Sequence, residues 1–299
     1  MTPIDSPHAP VAGGELAAVR FGDGDASLPV VLAVHGITGT SRAWIAVARE
    51  LAGRASLIAP DLRGRGASNQ LSAPYGIAAH VADLIGLLDE LGITQLPLLL
   101  GHSLGAYICA RLAADHAERV DKLMLIDGGL TLPGIEGVDP QQFLDAFLGP
   151  AIARLKMSFD SRESYRAWWR EHPAFAGSDV ADADLAAYAD YDLIGEPPQL
   201  HSSVSEPAIR GDAQDMFEMG AAAHRLTVQT TLMCAPRGLL NEPNPMQPPA
   251  LAQAWAAESP DHRTVVQVPD VNHYTIVMGA AGAAAVRGAV VAAVAACSY

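Results

Sequence analysis

Residues 96–105 read LPLLLGHSLG, an apolar run that stops at a Gly-x-Ser-x-Gly pattern. A short apolar run that ends at a glycine is typical of a strand buried inside a sheet. The residues that follow, 106–114, carry apolar side chains at helical spacing. The stretch therefore predicts a strand, a sharp turn and a helix in succession, with Ser103 at the turn.

The glycines on either side of Ser103 have a steric reason to be there. A side chain at Gly101 or Gly105 would crowd a turn in which the serine is held in a strained conformation. The helix that begins next leaves backbone N–H groups free, and the N–H of Leu104 is the first donor for an anion that forms during acyl transfer. The alternative is a chance match in an ordinary loop, and the flanking strand and helix argue against it.

The composition predicts a folded protein that acts on a small molecule. The chain has 299 residues, 50% of them hydrophobic, which is enough for one large or two modest domains with an ample core. Its formal net charge of -14 argues against nucleic acid or an anionic membrane surface as a partner, because both would repel it. A small neutral substrate is compatible with this charge, and association into a homo-oligomer is left open.

The cysteines and the chain ends bear on location. Cys109, Cys234 and Cys297 lie in apolar surroundings without metal-ligand spacing, which favours a reducing compartment and predicts a cytoplasmic protein. Residues 1–13 lack the basic start and apolar core of a signal peptide and are expected to form a short disordered leader. Residues 279–297 are rich in alanine and valine but contain an arginine, so a packed terminal helix is expected rather than a membrane span.

The predicted elements alternate between strand and helix in the first part of the chain. Besides the stretch at Ser103, strands are predicted at 15–21, 29–34, 55–59 and 122–127, and helices at 41–51 and 77–91. When successive strands are joined by right-handed crossover helices, as this alternation predicts, they form a parallel sheet. An α/β fold is therefore expected.

The pattern changes after residue 129. Residues 133–225 contain no convincing strand but have amphipathic stretches at 143–155, 162–170 and 180–191. Strands resume at 227–235 and 263–268, with helices at 249–258 and at the terminal stretch. The predicted organisation is a sheet core formed by residues 14–129 and 227–299, with residues 130–226 inserted as a helical lid.

Four motifs in this order resemble those of the α/β-hydrolase superfamily, in its lidded esterase and epoxide-hydrolase-like branch. They are VHGI at 34–37, DLRGRGAS at 61–68, GHSLG at 101–105 and VNHY at 271–274. The resemblance covers nearly the whole chain. It implies an α/β-hydrolase fold: a mostly parallel eight-stranded sheet flanked by helices, with an inserted helical lid.

The resemblance also implies roles for single residues. Ser103 is the expected nucleophile, His273 the expected base, and the backbone N–H groups of Ile37 and Leu104 the expected oxyanion hole. The residues themselves agree, because a serine hydroxyl needs an imidazole within hydrogen-bond reach. His273 follows a predicted strand and turn, which places it at the carboxyl edge of the sheet, where ligands bind. No cofactor and no metal ion are expected.

Other polar residues of the motifs are expected to have structural roles. The resemblance gives His35 a part in shaping the loop that carries Ile37, and His102 lies inside the turn without a need to contact substrate. Asp61 and Arg63 belong to a stretch rich in turn formers, so they are expected to hold that turn together.

The third member of the expected catalytic triad departs from the family pattern. That pattern places an acid in the loop after the strand that follows the lid, whereas here residues 235–242 read APRGLLNE, with glycine near the expected position. Two carboxylates remain open, Asp127 and Glu242. Asp127 is favoured because it ends an apolar strand beside the strand of Ser103 and is followed by two glycines. Certain haloalkane dehalogenases carry their acid at the place that matches Asp127.

The implied function is hydrolysis of carboxylic esters or lactones of small, apolar molecules through an acyl-enzyme intermediate. Aromatic residues of the lid are expected to form an apolar roof, with roughly one or two in five lining the pocket. They are Phe143, Phe147, Phe159, Trp168, Trp169, Phe175, Tyr188 and Tyr191. The alternatives are hydrolysis of carbon–carbon, amide or thioester bonds at the same site, an oxygenase-like or perhydrolase activity without cofactor, and a catalytically silent ligand-binding protein.

Overall fold

The computed structural model describes residues 1–131, 138–215 and 219–295. Within them, eight strands form one sheet in the spatial order β1-β2-β4-β3-β5-β6-β9-β10, and β7 pairs with β8 elsewhere. In chain order the strands are β1 (His8–Val11), β2 (Gly14–Phe21), β3 (Val30–Val34), β4 (Ser56–Pro60), β5 (Leu98–His102), β6 (Lys122–Ile126), β7 (Leu193–Ile194), β8 (His201–Ser202), β9 (Gln229–Cys234) and β10 (Arg263–Gln267). Six neighbouring strands of the sheet run parallel: β4, β3, β5, β6, β9 and β10. Strands β1 and β2 are antiparallel to their neighbours. The predicted eight-stranded, mostly parallel sheet is confirmed.

Helices cover both faces of this sheet, as a parallel sheet buried on both sides requires. In chain order the helices of the described residues are α1 (Ile45–Glu50), α2 (Ile77–Glu90), α3 (Leu104–Asp115), α4 (Pro140–Leu155), α5 (Arg162–Glu171), α6 (Asp182–Asp192), α7 (Glu206–Asp212), α8 (Pro249–Ala257), α9 (Thr275–Met278) and α10 (Ala280–Ala295). Trp44 belongs to one apolar core, which continues into the lid through Trp169, and Trp255 belongs to a second core. The sheet is therefore packed between two apolar cores, which fix the positions at which its strands end.

The C-terminal helix α10 packs as predicted. Val286 and Val290 are fully buried in the core that also contains α1, while Arg287 lies at the surface and pairs with Glu50 at 3.7 Å. Among the described residues, no helix combines the length and the apolar character that crossing a bilayer would need. The cytoplasmic location stays a prediction.

The prediction of a disordered leader was wrong. Strand β1 pairs with β2 through Ala9 and Leu16, both of which are fully buried, and the N–H of Ile4 donates to Arg20 O at 2.9 Å. The physical reason is that β2 would otherwise leave a row of unpaired backbone groups at the sheet edge. The first residues of the chain satisfy them, and Gly13, at φ 90°, makes the reversal.

The described part of the lid contains α4 to α7, which agrees with the three predicted amphipathic stretches and adds α7. It also contains the β7–β8 hairpin, where sequence analysis expected no strand. The two-residue strands are too short to give a periodic pattern. Phe143, Phe147 and Cys297 lie outside the described side chains, whereas Cys109 and Cys234 are buried free thiols. The predicted domain boundaries stay predictions.

Candidate active site

The turn at Ser103 has the strand–turn–helix geometry that the sequence predicts. Ser103 lies between β5 and α3 with φ 56° and ψ -122°, a conformation that a non-glycine residue keeps only when its surroundings impose it. A Cβ on Gly101 would lie 2.2 Å from Gly105 O, and a Cβ on Gly105 would lie 2.1 Å from Val34 O. Both positions therefore require glycine, because the backbone segments leave no room for a methyl group.

His273 is hydrogen-bonded to Asp127. The distance from His273 Nδ1 to Asp127 Oδ2 is 2.7 Å, and both side chains are buried. Asp127 Oδ1 accepts the backbone N–H of Ala235 at 3.0 Å, so both carboxylate oxygens have donors. Because the carboxylate accepts a hydrogen bond from Nδ1, the imidazole ring is oriented with Nε2 on the side away from Asp127.

Asp127 reaches this position because the chain bends sharply after β6. Asp127 has φ 48°, and the following Gly128 passes so close to the serine that a Cβ there would lie 2.5 Å from Ser103 O. The glycine after the strand thus permits the close approach that sequence analysis expected of it.

Glu242, the other candidate acid, is engaged by its own loop. Its Oε2 accepts the N–H of Leu240 at 2.7 Å, and its backbone carbonyl accepts the N–H of Gly238 at 2.9 Å. A Cβ on Gly238 would lie 2.0 Å from Glu242 Oε1. The carboxylate therefore closes the loop after β9, and the structure brings Asp127, not Glu242, to His273.

The loop 36–39 follows β3 and carries the N–H of Ile37. Gly36 O accepts two hydrogen bonds, from His35 Nδ1 at 2.8 Å and from the N–H of Gly39 at 3.0 Å. Since the peptide group is planar and trans, fixing Gly36 O also fixes the Ile37 N–H, which points the opposite way. Among the described residues, no backbone or side-chain acceptor takes the N–H of Ile37 or that of Leu104, so both remain available as donors.

His35 and His102 hold backbone groups of the site. His35 Nε2 accepts the N–H of Leu62 at 3.0 Å, and burial lowers the pKa of His35 to about 3, so its ring is neutral. His102 Nε2 donates to His273 O at 2.7 Å, and burial likewise lowers the pKa of His102 well below its usual value. Each ring fixes one backbone carbonyl beside the site, which agrees with the structural role predicted for His35.

Acid is expected to destabilise the protein through these two histidines. An unfolded histidine has a pKa of about 6.5, so below that pH the unfolded chain binds protons that the native His35 and His102 do not. The free energy of unfolding should therefore fall as the pH drops from about 6.5 towards 3, by up to about 1.4 kcal/mol per pH unit for each histidine. Urea unfolding at pH 7.5 and at pH 5.5 measures this slope. His35→Asn should reduce this slope and leave the part that is due to His102, and a stability that is constant or rises on acidification contradicts the assignment.

Asp61 and Arg63 make the contacts expected of residues that hold a turn. The Asp61 carboxylate accepts the backbone N–H of Ser41 at 2.7 Å and that of Ala67 at 2.9 Å. Arg63 forms a bidentate pair with Asp83, at 2.8 and 2.7 Å. These residues stabilise the loop between β4 and α2 and do not line the cavity at Ser103.

A cavity of about 90 Å³ lies against Ser103 and His273. Most of its described wall is apolar and consists of Ile37, Ala43, Leu104, Leu148, Leu239, Met246, Val277 and Met278. Of the lid aromatics with described side chains, Tyr188 lines it. Trp169 and Phe175 are buried in the core, and Tyr191 donates its hydroxyl to Asp61 at 2.6 Å.

Sequence analysis missed two tyrosines of the wall, Tyr107 and Tyr274. Both had a positional signal. Tyr107 lies one helical turn after Ser103, and Tyr274 comes directly after His273, so each follows a predicted catalytic residue at a spacing that keeps it near the same cavity.

The comparison with known families agrees with this geometry. A family model described as the alpha/beta hydrolase fold matches residues 29–278. The chain belongs to the alpha/beta hydrolase fold family. The predicted family is thereby confirmed, and its matched region contains the lid as well as most of the sheet.

Similar members of the alpha/beta hydrolase family include both characterised and uncharacterised proteins. N-formylmaleamate deformylase from Pseudomonas putida is 30% identical over 247 residues, 78% of this chain and 81% of that one. An uncharacterized protein from Mycobacterium tuberculosis is 38% identical over 101 residues. The match covers 34% of this chain and only 29% of that protein. Among solved structures, E-2-(acetamidomethylene)succinate hydrolase superposes with a TM-score of 0.79 at 21% identity, covering 97% of this chain and 99% of that chain, which shows the shared fold.

Proposed function

We propose that the protein is a serine hydrolase that cleaves carboxylic esters or lactones of small, apolar molecules through an acyl-enzyme intermediate. The observation that carries the proposal is the hydrogen bond between His273 and the buried Asp127, beside the cavity that Ser103 lines. In this proposal Ser103 is the nucleophile, His273 is the general base, and Asp127 stabilises the imidazolium.

The proposed reaction has two halves. The Ser103 oxygen attacks the substrate carbonyl carbon while His273 takes its proton, and the N–H groups of Ile37 and Leu104 donate to the resulting oxyanion. Collapse of this intermediate expels the alcohol, which receives the proton from His273 and leaves an acyl group on Ser103. A water molecule activated by His273 then hydrolyses the acyl-enzyme and restores the serine.

The alternative of a catalytically silent ligand-binding protein has less support once the position of Asp127 is considered. It rested on the missing acid in residues 235–242, and Asp127 is a carboxylate in hydrogen-bond contact with His273 from a different strand end. A carboxylate that orients an imidazole beside a serine is the arrangement that activates a serine nucleophile, which supports catalysis over binding alone.

The charges around the cavity support a neutral substrate. Apart from His102 and His273, its described wall has no basic side chain. The segments outside the described residues, 132–137 and 216–218, contain no lysine, arginine or histidine either. A carboxylate on the substrate would lose its hydration in this apolar cavity without gaining a cationic partner, which is costly.

Two esters of equal chain length test this proposal. We expect 4-nitrophenyl pentanoate to be hydrolysed with a kcat/KM at least about tenfold higher than mono-4-nitrophenyl glutarate, whose acyl group has the same number of carbons and ends in a carboxylate. Both rates are corrected for spontaneous hydrolysis. An equal rate or a preference for the anionic ester contradicts the neutral substrate class, and no turnover of either ester contradicts the esterase proposal.

Amide hydrolysis is the second candidate, because the match to N-formylmaleamate deformylase spans 81% of that protein. The matched 4-nitroanilide of pentanoic acid separates the two candidates: the esterase proposal expects the anilide to react far more slowly than the ester. A small molecule is the only partner proposed, and the oligomeric state and the absence of nucleic-acid or membrane partners stay predictions.

A further inference from the structure

Two buried arginines contact backbone carbonyls of the loop 36–39 without lining the cavity. Arg65 Nε donates to Ile37 O at 3.0 Å, and Arg154 Nη2 lies 3.5 Å from Thr38 O. Both side chains are buried. The carbonyls of Ile37 and Thr38 are therefore each contacted by a guanidinium, which holds the two peptide groups that follow the one carrying the Ile37 N–H.

Each guanidinium is paired with an aspartate of the lid. Arg65 Nη2 lies 2.5 Å from Asp212 Oδ2 at the end of α7, and Arg154 Nη1 lies 2.6 Å from Asp192 Oδ2 at the end of α6. Arg65 belongs to the sheet core, so its pair joins the core to the lid. Asp212 lies 147 positions after Arg65 in the chain.

Asp212 is fixed by three donors at once. Besides Arg65, its carboxylate accepts the backbone N–H of Gly76 at 2.8 Å and contacts His80 Nε2 at 2.9 Å. Burial alone would raise the pKa of Asp212, but the charges of Arg65 and His80 outweigh burial and hold it well below its usual value. The carboxylate is therefore charged, and displacing the lid from it would leave Arg65 buried without a counter-ion, which is costly.

We propose that the lid sets the oxyanion hole: Asp212, through Arg65, positions the loop that presents the Ile37 N–H, so a seated lid is required for fast chemistry. Asp212 and Arg65 are positioning residues, since neither lines the cavity at Ser103. The inference rests on the proposed hydrolase function. It assigns the lid a part in transition-state stabilisation that is separate from covering the substrate.

A second buried ion pair provides a matched control. Arg63 and Asp83 form a bidentate pair two positions from Arg65, and both are as buried as Arg65 and Asp212. The remaining hydrogen bonds of the Arg63 guanidinium go to Ser72 O and Ala12 O, not to the loop 36–39, and the Arg63 backbone carbonyl accepts Arg65 Nη1 at 2.8 Å. Asp83→Asn therefore removes a comparable buried charge from the same region without touching the oxyanion loop.

The experiment compares Asp212→Asn with Asp83→Asn in the full chain. For Asp212→Asn we expect kcat on 4-nitrophenyl pentanoate to fall roughly 10- to 100-fold with a much smaller change in KM, because a misplaced donor weakens the transition state more than the ground state. Amide hydrogen exchange of the loop 36–39 should accelerate by about tenfold or more. Asp83→Asn should leave kcat and this exchange close to the wild-type values.

Equal losses of kcat in the two variants, or unchanged exchange in the loop 36–39 of Asp212→Asn, would overturn the inference. If Asp212→Asn does not fold, Arg65→Lys replaces it. A lysine can keep the charge beside Asp212 but has no second nitrogen for Ile37 O, so the same drop in kcat is expected in a folded protein. A wild-type protein without esterase activity would refute the proposed function instead, and the exchange measurement would still decide whether the lid holds the loop.

Discussion

Ser103→Ala is expected to lower kcat on 4-nitrophenyl pentanoate by at least about a thousandfold. The substitution removes the oxygen that forms the acyl-enzyme, and only binding and oxyanion stabilisation remain. The fold should persist, because alanine keeps the Cβ and adds nothing to the crowded turn between Gly101 and Gly105. Steady-state hydrolysis measures the loss, and thermal unfolding shows whether the variant is folded.

A fluorophosphonate provides the independent readout. It should label the wild-type protein with a stoichiometry of about one and leave Ser103→Ala unlabelled, because only an activated serine attacks the phosphorus. Wild-type turnover in the variant, or labelling of the variant, would rule out Ser103 as the nucleophile.

Asp127→Asn is expected to lower kcat by roughly 10⁴-fold, as the loss of the triad carboxylate does in serine proteases. The amide keeps the shape of the side chain but no longer favours the Nδ1–H tautomer of His273 or stabilises its imidazolium. Glu242→Gln is the matched control, since it also exchanges a carboxylate for an amide. It should cost less than about tenfold, because Glu242 contacts its own loop.

The ranking of the two variants decides the acid. A larger loss for Glu242→Gln than for Asp127→Asn would assign the acid to Glu242, against the geometry. Two small losses would mean that His273 acts without a charged partner. Circular dichroism of both variants separates either result from unfolding.

Much of the fold could be predicted from sequence because its signals are local. The buried strands are continuous apolar runs, and glycine at position 101 is required by a backbone group only four residues away, Gly105 O. Asp127 could be selected because the end of a parallel strand has a known place at the sheet edge. Each of these arguments uses only a few neighbouring residues.

The features that sequence analysis missed depend on distant partners. Residues 1–13 contain no strong strand pattern, and β1 forms because β2 offers it an edge. The pair of Arg65 and Asp212 joins positions whose proximity exists only once the lid is packed. The same holds for the lid aromatics, because helical spacing does not say which face of a helix meets the cavity and which meets the core.

The lid of this protein is tied to the core at several separate points. Besides Asp212, Tyr191 donates to Asp61 at 2.6 Å, and Asn272 Nδ2 donates to Ala174 O at 2.8 Å. A swing of the whole lid would break all these hydrogen bonds together, each at a net cost of about 0.5–1.5 kcal/mol. Substrate and product should therefore exchange through small movements of cavity side chains, and the rate of turnover should depend little on solvent viscosity, which slows large domain motions.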